Sequence, residues 1–420
     1  MSWSIHHRDC CRLCGSADVA PFLDLGRAPF TDDFVTPEQL GREFAAPLTV
    51  FVCRACWTAQ TQHDVEVDEY YRDYNYSVAA SPFAQRFMAR LAQRTMAEYG
   101  LTPGAGVLEI GSGDGAQLAH FQALGAHVLG FEPSADLCAT SRAAGVPVHE
   151  GLFDAGTAAS IPAAMRPADV ILLTYTFDHL PEPLPFLQAV RSVLDPERGV
   201  LVIEVHDLEA IMRRRETCLF EHEHSVYLTR RSFGRLLERA GFELLTSDLL
   251  PAAQRRGNSL LITAAVTGSH HIADPAPYVG DALERWEPYD RFAHAVAESH
   301  DALRRHLREA RAAGRRVAGY GAGGRGVMTL AGAGLGPDDI AYLCDRSPHA
   351  HGLLAPGSHV PICDPGRLAV DPVDELIVFS YGYMDEIREQ LSAQLGVVPT
   401  LTSLLDLLAP APRIASPAAA

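Results

Sequence analysis

The chain has 420 residues, a formal net charge of −17 and a hydrophobic content of 47%, enough for buried cores in two or three domains of about 150 residues each. The acidic balance argues against a nucleic-acid partner, because phosphate-binding surfaces need clustered Lys and Arg. The sequence has no apolar run of about 18 residues and no charged-then-apolar leader, so we expect no membrane span and a cytoplasmic location. Nine cysteines in a chain of this length do not indicate the disulfide framework of a small secreted domain.

Two matched cysteine pairs dominate the N-terminal segment, residues 1–75. Cys11 and Cys14 form one Cys-x-x-Cys pair, and Cys53 and Cys56 form another. Four thiolates fit a tetrahedral Zn²⁺ and leave no open coordination position. We therefore predict a structural zinc, which adds folding energy to a segment with little core of its own. The alternative is a set of reduced structural cysteines without metal.

A tyrosine-rich stretch, residues 70–76, ends the zinc-binding module. Its tyrosines, Tyr76 among them, are accompanied by Ser and Asn, which suits a polar lid that stacks on a ligand. A partly exposed packing stripe is the alternative. Residues 83–99 then have helical spacing and lead into the next motif.

A glycine-rich turn at residues 111–115 connects a predicted buried strand, residues 107–110, to a predicted helix, residues 116–124. This order opens a nucleotide-binding βαβ unit, since glycines let the backbone approach a ligand at the amide end of a helix. The sequence Gly-Ser-Gly-Asp-Gly is not the dinucleotide fingerprint. Glu109, inside the strand end, would repel a pyrophosphate and suits a cationic ligand or its amino group.

An acid follows the next predicted strand, residues 127–131. Glu132 can accept both hydroxyls of a ribose, as acids at this position of nucleotide-binding folds do. A buried strand at residues 168–173 leads to Thr174, and the run at 199–205 is apolar throughout most of its length, as parallel strands buried on both faces are. Ligands bind at the carboxyl ends of such strands, so we expect these ends on one edge of a parallel sheet. An ordinary βα turn is the alternative.

These features resemble the S-adenosylmethionine-dependent methyltransferases of the Rossmann-like class. The predicted core covers residues 76–268 and also holds a weak strand at 146–148, an amphipathic helix at 232–240 and an antiparallel strand at 259–266. The resemblance implies S-adenosylmethionine as cofactor. The residues expected to bind it are Tyr76, Glu109, Gly111, Gly113, Asp114, Glu132 and Thr174.

Two histidines, His222 and His224, alternate with two glutamates, Glu221 and Glu223. Histidine has the side-chain pKa nearest neutrality, so it can accept a proton at working pH, and a neighbouring carboxylate stabilises the imidazolium. We predict a general base here, and His179, at the end of a strand, is a second candidate for the active-site wall. A solvated surface patch is one alternative. A metal site is another, although the helical His-Glu-x-x-His spacing is absent.

A second nucleotide-binding pattern lies in residues 269–408. Its elements are a linker at 272–278, a polar helix at 280–313, a strand at 316–320, a glycine-rich turn at 321–326, a helix at 327–333 and strands at 340–345 and 375–380. Phosphate could meet a helix amino terminus at this turn, and Arg325 adds positive charge. A nucleotide diphosphate is the natural ligand, and the alternative is a turn that only packs. Residues 409–420 lack structure-forming pattern, so we expect a disordered tail.

The whole arrangement resembles the sugar C-methyltransferases of deoxysugar biosynthesis, which are zinc-containing, depend on S-adenosylmethionine and act on nucleotide-linked keto sugars. The resemblance covers nearly the whole chain. It rests on Cys11, Cys14, Cys53 and Cys56, on residues 71–76, 108–115, 177–179, 222–224 and 319–322, and on residues 344–348 and 356–361. It implies an α/β fold with a small N-terminal zinc-binding module, a Rossmann-like methyltransferase core, and a second Rossmann-like C-terminal domain.

The resemblance also implies a reaction, part of antibiotic biosynthesis. A ketone acidifies the neighbouring C–H, His224 removes that proton, and the enolate attacks the methyl group. Glu223 would orient His224 or bind a sugar hydroxyl. The expected catalytic residues are His224, Glu223, His222, His179 and Glu221. The substrate's nucleotide, expected to be thymidine diphosphate, would bind the C-terminal domain through Tyr320, Gly321, Gly323, Arg325 and Asp345, and a monomeric enzyme is compatible with this scheme.

One residue departs from the family motif, which reads Tyr-His-Glu-His where this chain begins with Glu221. That tyrosine is the expected partner of the ketone or enolate oxygen, and a carboxylate there would repel an enolate unless it is protonated. Another donor, such as His179, His222 or Tyr76, would then hold the oxygen, or the substrate differs. An O- or N-methyltransferase of a related sugar or other small metabolite is therefore the alternative, and a non-catalytic binding protein is the third hypothesis.

Overall fold

A computed structural model of the protein describes residues 3–66, 68–72, 81–271 and 283–408. The chain forms two compact units. Unit 1 consists of Met1–Ala20, Phe51–Glu209 and Glu223–Glu284, and unit 2 of Pro21–Val50, Ala210–His222 and Arg285–Ala420. The predicted lid residue Tyr76, the linker at 272–278 and the tail at 409–420 lie outside the described residues. Within the described ranges, no helix combines the length and the hydropathy that a membrane span requires.

The secondary structure alternates between strands and helices along most of the chain. The strands are β1 Ile5–His7, β2 Val19–Ala28, β3 Ala46–Cys53, β4 Ala59–Thr61, β5 His63–Val65, β6 Gly106–Ile110, β7 His127–Glu132, β8 Val148–Glu150, β9 Val170–Thr174, β10 Val200–His206, β11 Val226–Tyr227, β12 Phe242–Thr246, β13 Ser259–Val266, β14 Val317–Tyr320, β15 Leu343–Cys344, β16 Ile362–Cys363, β17 Glu375–Val378 and β18 Thr400–Ser403. The helices are α1 Asp68–Arg72, α2 Pro82–Glu98, α3 Ala116–Ala123, α4 Ala135–Ala143, α5 Pro183–Val193, α6 Leu208–Arg214, α7 Arg230–Ala240, α8 Glu287–Ala312, α9 Gly324–Gly332, α10 Arg367–Val370, α11 Met384–Gln394 and α12 Leu404–Leu408.

Unit 1 contains a seven-stranded sheet in the order β12-β13-β10-β9-β6-β7-β8. The five strands from β10 to β8 are parallel, β13 runs antiparallel to β10, and β12 runs antiparallel to β13. Consecutive residues of β9 face opposite sides: Val170 and Leu172 pack in one core cluster, and Ile171 and Leu173 in the other. This two-sided burial explains the continuous apolar runs, and the expected parallel core is confirmed.

The order of the strands reverses on either side of β6, because the chain moves outward to β7 and β8 and then returns to β9 and β10. In open α/β sheets such a switch point is where ligands bind, outside the carboxyl ends of the strands. The first glycine turn follows β6 at this point.

The small strands of the N-terminal module form two sheets. β1 pairs with β5, and a four-stranded sheet has the order β11-β4-β3-β2. In the latter, β4 pairs antiparallel with β11, so that Gln60 lies opposite Val226. The strand that directly follows the predicted base motif is thereby paired with the zinc-binding module.

Unit 2 contains a five-stranded parallel sheet in the order β16-β15-β14-β17-β18. The order reverses at β14, and the second glycine turn follows this strand. The second Rossmann-like domain of the predicted fold class is therefore confirmed.

Several predicted boundaries differ from the structure. α8 begins at Glu287 rather than at residue 280, because Pro288 in its first turn starts the helix. α9 begins at Gly324, three residues before the predicted start, since the glycines of the turn continue into the helix. α11 and β18 have no counterpart in the sequence prediction.

Candidate functional site

The four cysteines of the N-terminal module meet in unit 1. Their sulfurs lie within 4.8 Å of one another, with Cys11 Sγ 3.6 Å from Cys56 Sγ and Cys14 Sγ 3.5 Å from Cys53 Sγ. A tetrahedral zinc with Zn–S bonds of about 2.3 Å holds its sulfurs about 3.8 Å apart, so the cluster fits this ion. All four positions are filled by protein thiolates, which makes the predicted site architectural.

Hydrogen bonds from polar side chains fix the loop that carries Cys11. The amide of Gln60 donates to Cys11 Sγ at 3.0 Å, and its carbonyl oxygen accepts from the backbone N–H of Arg12 at 2.9 Å. The buried guanidinium of Arg12 donates to Asp64 at 2.7 Å and to the carbonyl of Pro181 at 3.2 Å. Such contacts orient metal ligands, and here they also connect the module to the segment that follows His179.

The first glycine turn adopts a backbone that side chains disfavour. Gly111, Gly113 and Gly115 have φ values of +70°, +54° and +79°. A Cβ at Gly111 would also collide with the side chain of Thr176. The turn thus passes close to Thr176, just after β9, in a backbone conformation that glycine permits.

Glu132 at the end of β7 has a carboxylate held by two backbone groups. Its Oε2 accepts from the N–H of Gly113 and its Oε1 from the N–H of Ser134, both at 2.9 Å. Burial raises the pKa of this carboxyl, and the two N–H groups oppose the rise. The carboxylate is therefore fixed at the glycine turn, where the hydroxyls of a ribose could bind to its remaining lone pairs.

Glu109 is buried in β6 below the turn. Thr174 donates to its Oε1 at 3.3 Å, whereas its Oε2 has no hydrogen-bond partner among the described residues. Burial raises the pKa of Glu109 to about 8. A buried carboxylate oxygen without a donor suits a ligand that carries positive charge, so the donor set at this edge fits S-adenosylmethionine. Asp114, the remaining described residue of the predicted cofactor site, accepts from the N–H of Ala116 at 3.1 Å.

His224 lies in unit 1 among other ionisable groups. Its ring centroid is 4.7 Å from that of His179 and 4.9 Å from that of His206. His206 Nδ1 donates to Asp178 Oδ2 at 2.8 Å. The backbone N–H of Ser225 donates to the carbonyl of Asp178 at 2.7 Å, which fixes the loop of His224 next to this pair. The sequence prediction brought His179 and His224 together, and the structure adds Asp178 and His206.

The environment of His179 keeps its ring neutral. Burial and the neighbouring His224 lower the pKa of His179 to about 3. Its Nδ1 is 2.7 Å from the hydroxyl of Tyr71, and the ring also donates to the backbone carbonyl of Glu223. His179 is thus part of a hydrogen-bonded wall that includes one residue of the tyrosine-rich stretch.

Asp178, His206 and His224 offer ligand atoms within 4.8 Å of one another, which by composition could hold a divalent cation. The direct hydrogen bond between His206 and Asp178 favours another interpretation. A carboxylate that accepts from Nδ1 orients an imidazole for proton transfer, as in catalytic triads.

The two units divide the predicted base motif, with Glu223 and His224 in unit 1 and Glu221 and His222 in unit 2. His222 Nε2 donates to the carbonyl of Ala28 at 3.1 Å, and its ring packs edge-on against Phe44 at 5.3 Å. These contacts are those of a buried packing residue. A catalytic role for His222 remains a prediction without support from them.

Glu221 lies at the second glycine turn. A Cβ on Gly324, the first residue of α9, would come within 2.5 Å of Glu221 Oε1, and Thr31 Oγ1 donates to Glu221 Oε2 at 3.5 Å. A carboxylate against the amino end of α9 occupies the place expected for phosphate. The expectation that a diphosphate meets this helix end is therefore disfavoured, because the two negative groups would repel each other.

Asp345, at the end of β15, repeats the pattern of Glu132 in unit 1. Its Oδ2 accepts from the N–H of Ala322 and its Oδ1 from the N–H of Ser347, both at 2.8 Å. An acid that could bind ribose hydroxyls is thus present in unit 2 as well. Gly321 has the positive φ of +101° that a glycine turn requires. At Gly323, a Cβ would lie 3.8 Å from Asp32 Oδ1, so a further acid borders the turn.

Two predicted substrate-binding residues make contacts within unit 2. Tyr320 is a core residue whose hydroxyl donates to Gln390 at 3.1 Å, so its expected role in binding is not supported. Arg325 donates through Nε to the hydroxyl of Tyr381 at 3.0 Å, and that hydroxyl donates to Glu216. Burial would lower the pKa of Arg325, but Tyr381 and Glu216 hold it above its usual range. The charge of Arg325 is thus partly balanced by these contacts within unit 2.

Sequence reasoning did not identify a second buried pair beside the histidines. Arg256 donates to the fully buried Glu204 of β10, and its guanidinium lies 4.6 Å above the ring of Tyr175. Tyr175 has a positive φ of +56°, and its ring is 4.6 Å from that of His206. The sequence signal that could have identified this group is the occurrence of polar residues at the ends of β9 and β10.

Three family models match the chain in the order of its domains. They are a zinc binding domain over residues 11–71, a methyltransferase domain over residues 81–247 and a C-methyltransferase C-terminal domain over residues 280–397. The C-methyltransferase NovU of Streptomyces niveus is 29% identical over 386 residues, which are 90% of this chain and 91% of that protein.

Solved structures also resemble part of the chain. The CcbJ methyltransferase from Streptomyces caelestis has 18% identity and a TM-score of 0.34 over 48% of this chain and 96% of its own. Magnesium protoporphyrin IX methyltransferase from Synechocystis PCC 6803 has 16% identity and a TM-score of 0.35 over 47% of this chain and 92% of its own. Similarities this low carry no inference about the present site. The family models and the relative that spans the chain identify it as an S-adenosylmethionine-dependent methyltransferase with the zinc-binding and C-terminal domains of the C-methyltransferases.

Proposed function

We propose that the protein methylates a carbon next to the ketone of a nucleotide-diphosphate-linked keto-deoxysugar. The observation that supports this is that His224 lies in unit 1, at the edge of the sheet where the residues proposed to bind the cofactor also lie. The cofactor residues lie at the ends of β6 and β7, and the histidine cluster lies at the ends of β9 and β10. These four strands are neighbours, so the base and the methyl donor serve one reacting carbon.

S-adenosylmethionine, when bound, supplies an electrophilic methyl group. Glu109 and Glu132 would hold its amino group and its ribose hydroxyls, respectively. His224 takes the acidic proton from the substrate carbon, and general-base catalysis of this kind contributes about 10²–10⁴-fold. The carbon of the resulting enolate would accept the methyl group, with S-adenosylhomocysteine as the leaving group, and the proton leaves His224 for solvent. O-methylation of a hydroxyl would also deliver a proton to a base, but only C-methylation breaks a C–H bond of the substrate.

The nucleotide is proposed to bind unit 2, where Asp345 accepts backbone N–H groups as Glu132 does in unit 1. Glu221 disfavours a diphosphate at the amino end of α9, so the phosphates are proposed to lie away from that end. The choice of nucleotide and sugar rests on the resemblance to deoxysugar enzymes. The choice of carbon is supported by the relative that spans the chain, which is a C-methyltransferase.

Loss of the substrate hydrogen tests the proposal. Nucleotide-linked 4-keto-6-deoxyhexoses labelled with deuterium beside the ketone are incubated with protein and S-adenosylmethionine, and the product is analysed by mass spectrometry. C-methylation removes one deuterium for each methyl group gained, whereas O- or N-methylation retains it. Methylated product that retains all deuterium would contradict the proposal.

The variant His224→Ala tests the base. We expect turnover to fall by about 10²–10⁴-fold, while the Kd of S-adenosylhomocysteine stays unchanged. The matched control is His294→Ala, which removes a histidine with a 76% exposed side chain in α8 of unit 2. A His224→Ala variant with the turnover of the control would remove His224 from the mechanism.

A further inference from the structure

The pair formed by Asp178 and His206 has no part in the mechanism proposed so far. Asp178 is 2% exposed, and its Oδ2 accepts the hydrogen bond from His206 Nδ1. Its Oδ1 is buried and has no hydrogen-bond partner among the described residues. Burial alone would raise the pKa of Asp178, but the hydrogen bond from His206 and the nearby His224 hold it below its usual range. Asp178 is therefore ionised at working pH.

An ionised carboxylate on Nδ1 has two consequences for His206. It fixes the ring orientation, so that His206 acts on a ligand through Nε2, and it stabilises the imidazolium form. A buried carboxylate with one oxygen unpaired is costly unless a positive charge lies beside it. The arrangement thus favours a protonated His206.

Asp178 is the carboxylate that accepts a hydrogen bond from the His206 ring in the described part of unit 1. Glu204, on the same strand, is paired with Arg256, so these two charges neutralise each other. The described groups that interact with the His206 ring include Tyr175, Asp178 and His179, which follow β9, and His224, which precedes β11. Arg256, the partner of Glu204, lies over the other ring contact, Tyr175.

An enolate oxygen in this site needs a donor, since the family tyrosine is replaced by Glu221. The described contacts of Glu221 are made inside unit 2, with Thr31 and Gly324. His179 is hydrogen-bonded to Tyr71 and to a backbone carbonyl. His206, with its ring 4.9 Å from that of His224, is placed to reach the oxygen while His224 reaches the neighbouring carbon.

Resting on the proposed function, we propose that His206 is a catalytic residue that donates a hydrogen bond to the enolate oxygen, with Asp178 as its positioning residue. His224 takes the proton from the carbon, and the electron pair of the broken C–H bond delocalises onto the carbonyl oxygen. The imidazolium of His206 stabilises that oxygen through Nε2–H without losing its proton. When the C–C bond to the methyl group forms, the oxygen becomes a ketone again and the methyl–sulfur electron pair stays on sulfur.

The charge of His206 can be measured without a sugar substrate. Protein labelled with ¹⁵N-histidine is loaded with S-adenosylhomocysteine, and the imidazole signals are followed by NMR from pH 5 to pH 9. His206 is assigned with the variant H206N. We expect the wild-type ring to stay protonated to a pH above the ordinary value of about 6.5, with a low-field Nδ1–H signal. D178N should lower that apparent pKa by about one unit or more.

Asp207→Asn is the matched control. It removes a carboxylate next to His206 in sequence, whose Oδ1 accepts from the N–H of Glu209, and asparagine can replace it as acceptor. D207N should leave the titration of His206 close to that of the wild type. An apparent pKa of His206 at or below 6.5 in the wild type, or one equal in D178N and D207N, would overturn the dyad.

Kinetics with the labelled keto sugars provide the second readout. H206N and D178N should lower kcat by about 10²–10³-fold, as removal of one oxyanion donor does, with the Kd of S-adenosylhomocysteine within twofold of wild type. Both variants should also slow exchange of the substrate hydrogen with solvent, because the donor stabilises the enolate. Full turnover by H206N would overturn the proposal even if the titration agreed.

Two further outcomes are separable. If the wild type methylates none of the keto sugars, the proposed function fails, while the titration still decides whether the dyad exists. If added Mn²⁺ broadens the His206 and His224 signals and raises turnover, these residues hold a cation, and the dyad is overturned.

Discussion

Glu132 provides the sharpest test of the cofactor site, because its two carboxylate oxygens are held by backbone N–H groups at 2.9 Å each. Glu132→Gln keeps the shape of the side chain but converts one oxygen into an NH₂ group. That group then faces either Gly113 N–H or Ser134 N–H, and two donors cannot pair. The glycine turn loses one of its fixed points, and the ribose loses a charged acceptor.

The magnitude follows from these contacts. A buried donor left without a partner costs about 1–3 kcal/mol, and this part lowers the stability of the protein. A hydrogen bond to a charged group contributes about 1.5–3 kcal/mol, and this part is lost from ligand binding. Since about 1.4 kcal/mol corresponds to a factor of ten, the Kd of S-adenosylhomocysteine should rise about 10- to 150-fold.

Asp345→Asn is the matched control for this experiment. Asp345 makes the same two backbone hydrogen bonds at 2.8 Å at the end of β15 in unit 2. The control should lower stability by a similar amount without changing the Kd of S-adenosylhomocysteine. Calorimetric titration of the zinc-replete variants at 25 °C measures both constants. Two results would refute the assignment of Glu132 to the cofactor site. One is a Kd of Glu132→Gln within twofold of wild type, and the other is an equal loss of S-adenosylhomocysteine affinity in Asp345→Asn.

Four further predictions concern three residues of unit 1. Cys53→Ser should lose most of the bound zinc and lower the melting temperature; unchanged metal content and melting would contradict a structural zinc. Burial raises the pKa of Glu109 from 4.5 to about 8 in the folded protein. As pH rises, the Glu109 carboxyl therefore loses its proton in the unfolded chain before it does so in the folded protein. The free energy of unfolding without ligand should accordingly fall between pH 4.5 and pH 8. Binding of S-adenosylmethionine near pH 7 should then release a proton, measurable by calorimetry in buffers of different ionisation enthalpy and absent in Glu109→Gln. Gly111→Ala should weaken S-adenosylhomocysteine binding more than tenfold, on the order of 1.4 kcal/mol, because the backbone is left-handed there and a Cβ meets Thr176; calorimetry with wild-type affinity would disprove this.

The sheets and the two glycine turns could be predicted because their signals are local. An apolar run followed by glycines specifies a strand and a turn within about ten residues, and the acids Glu132 and Asp345 directly follow the next strand in each unit. Each Cys-x-x-Cys pair is also a local signal, whereas the contact between the two pairs depends on the fold. Composition and spacing were therefore sufficient for the fold class, and they named the residues that are proposed to bind the cofactor.

The dyad could not be predicted, because it depends on which strands are neighbours. Asp178 and His206 are 28 residues apart, and β9 lies beside β10 only in the folded sheet. Glu221 shows the opposite case. Its neighbours in sequence suggested an active-site residue, but the two units divide the motif after His222, and its contacts are at the second glycine turn.

Strand β4 connects the zinc-binding cysteines to the loop of His224 within unit 1. Gln60 donates to Cys11 Sγ, and its backbone pairs with Val226, two residues after His224. The neighbouring Thr61 N–H donates to the carbonyl of Ser225 at 3.2 Å, while Ser225 N–H donates to Asp178. The loop of His224 is therefore held on one side by the zinc-binding module and on the other by the residue that orients His206. A zinc that touches no substrate can in this way keep the proposed base, His224, and the proposed oxyanion donor, His206, at a fixed separation.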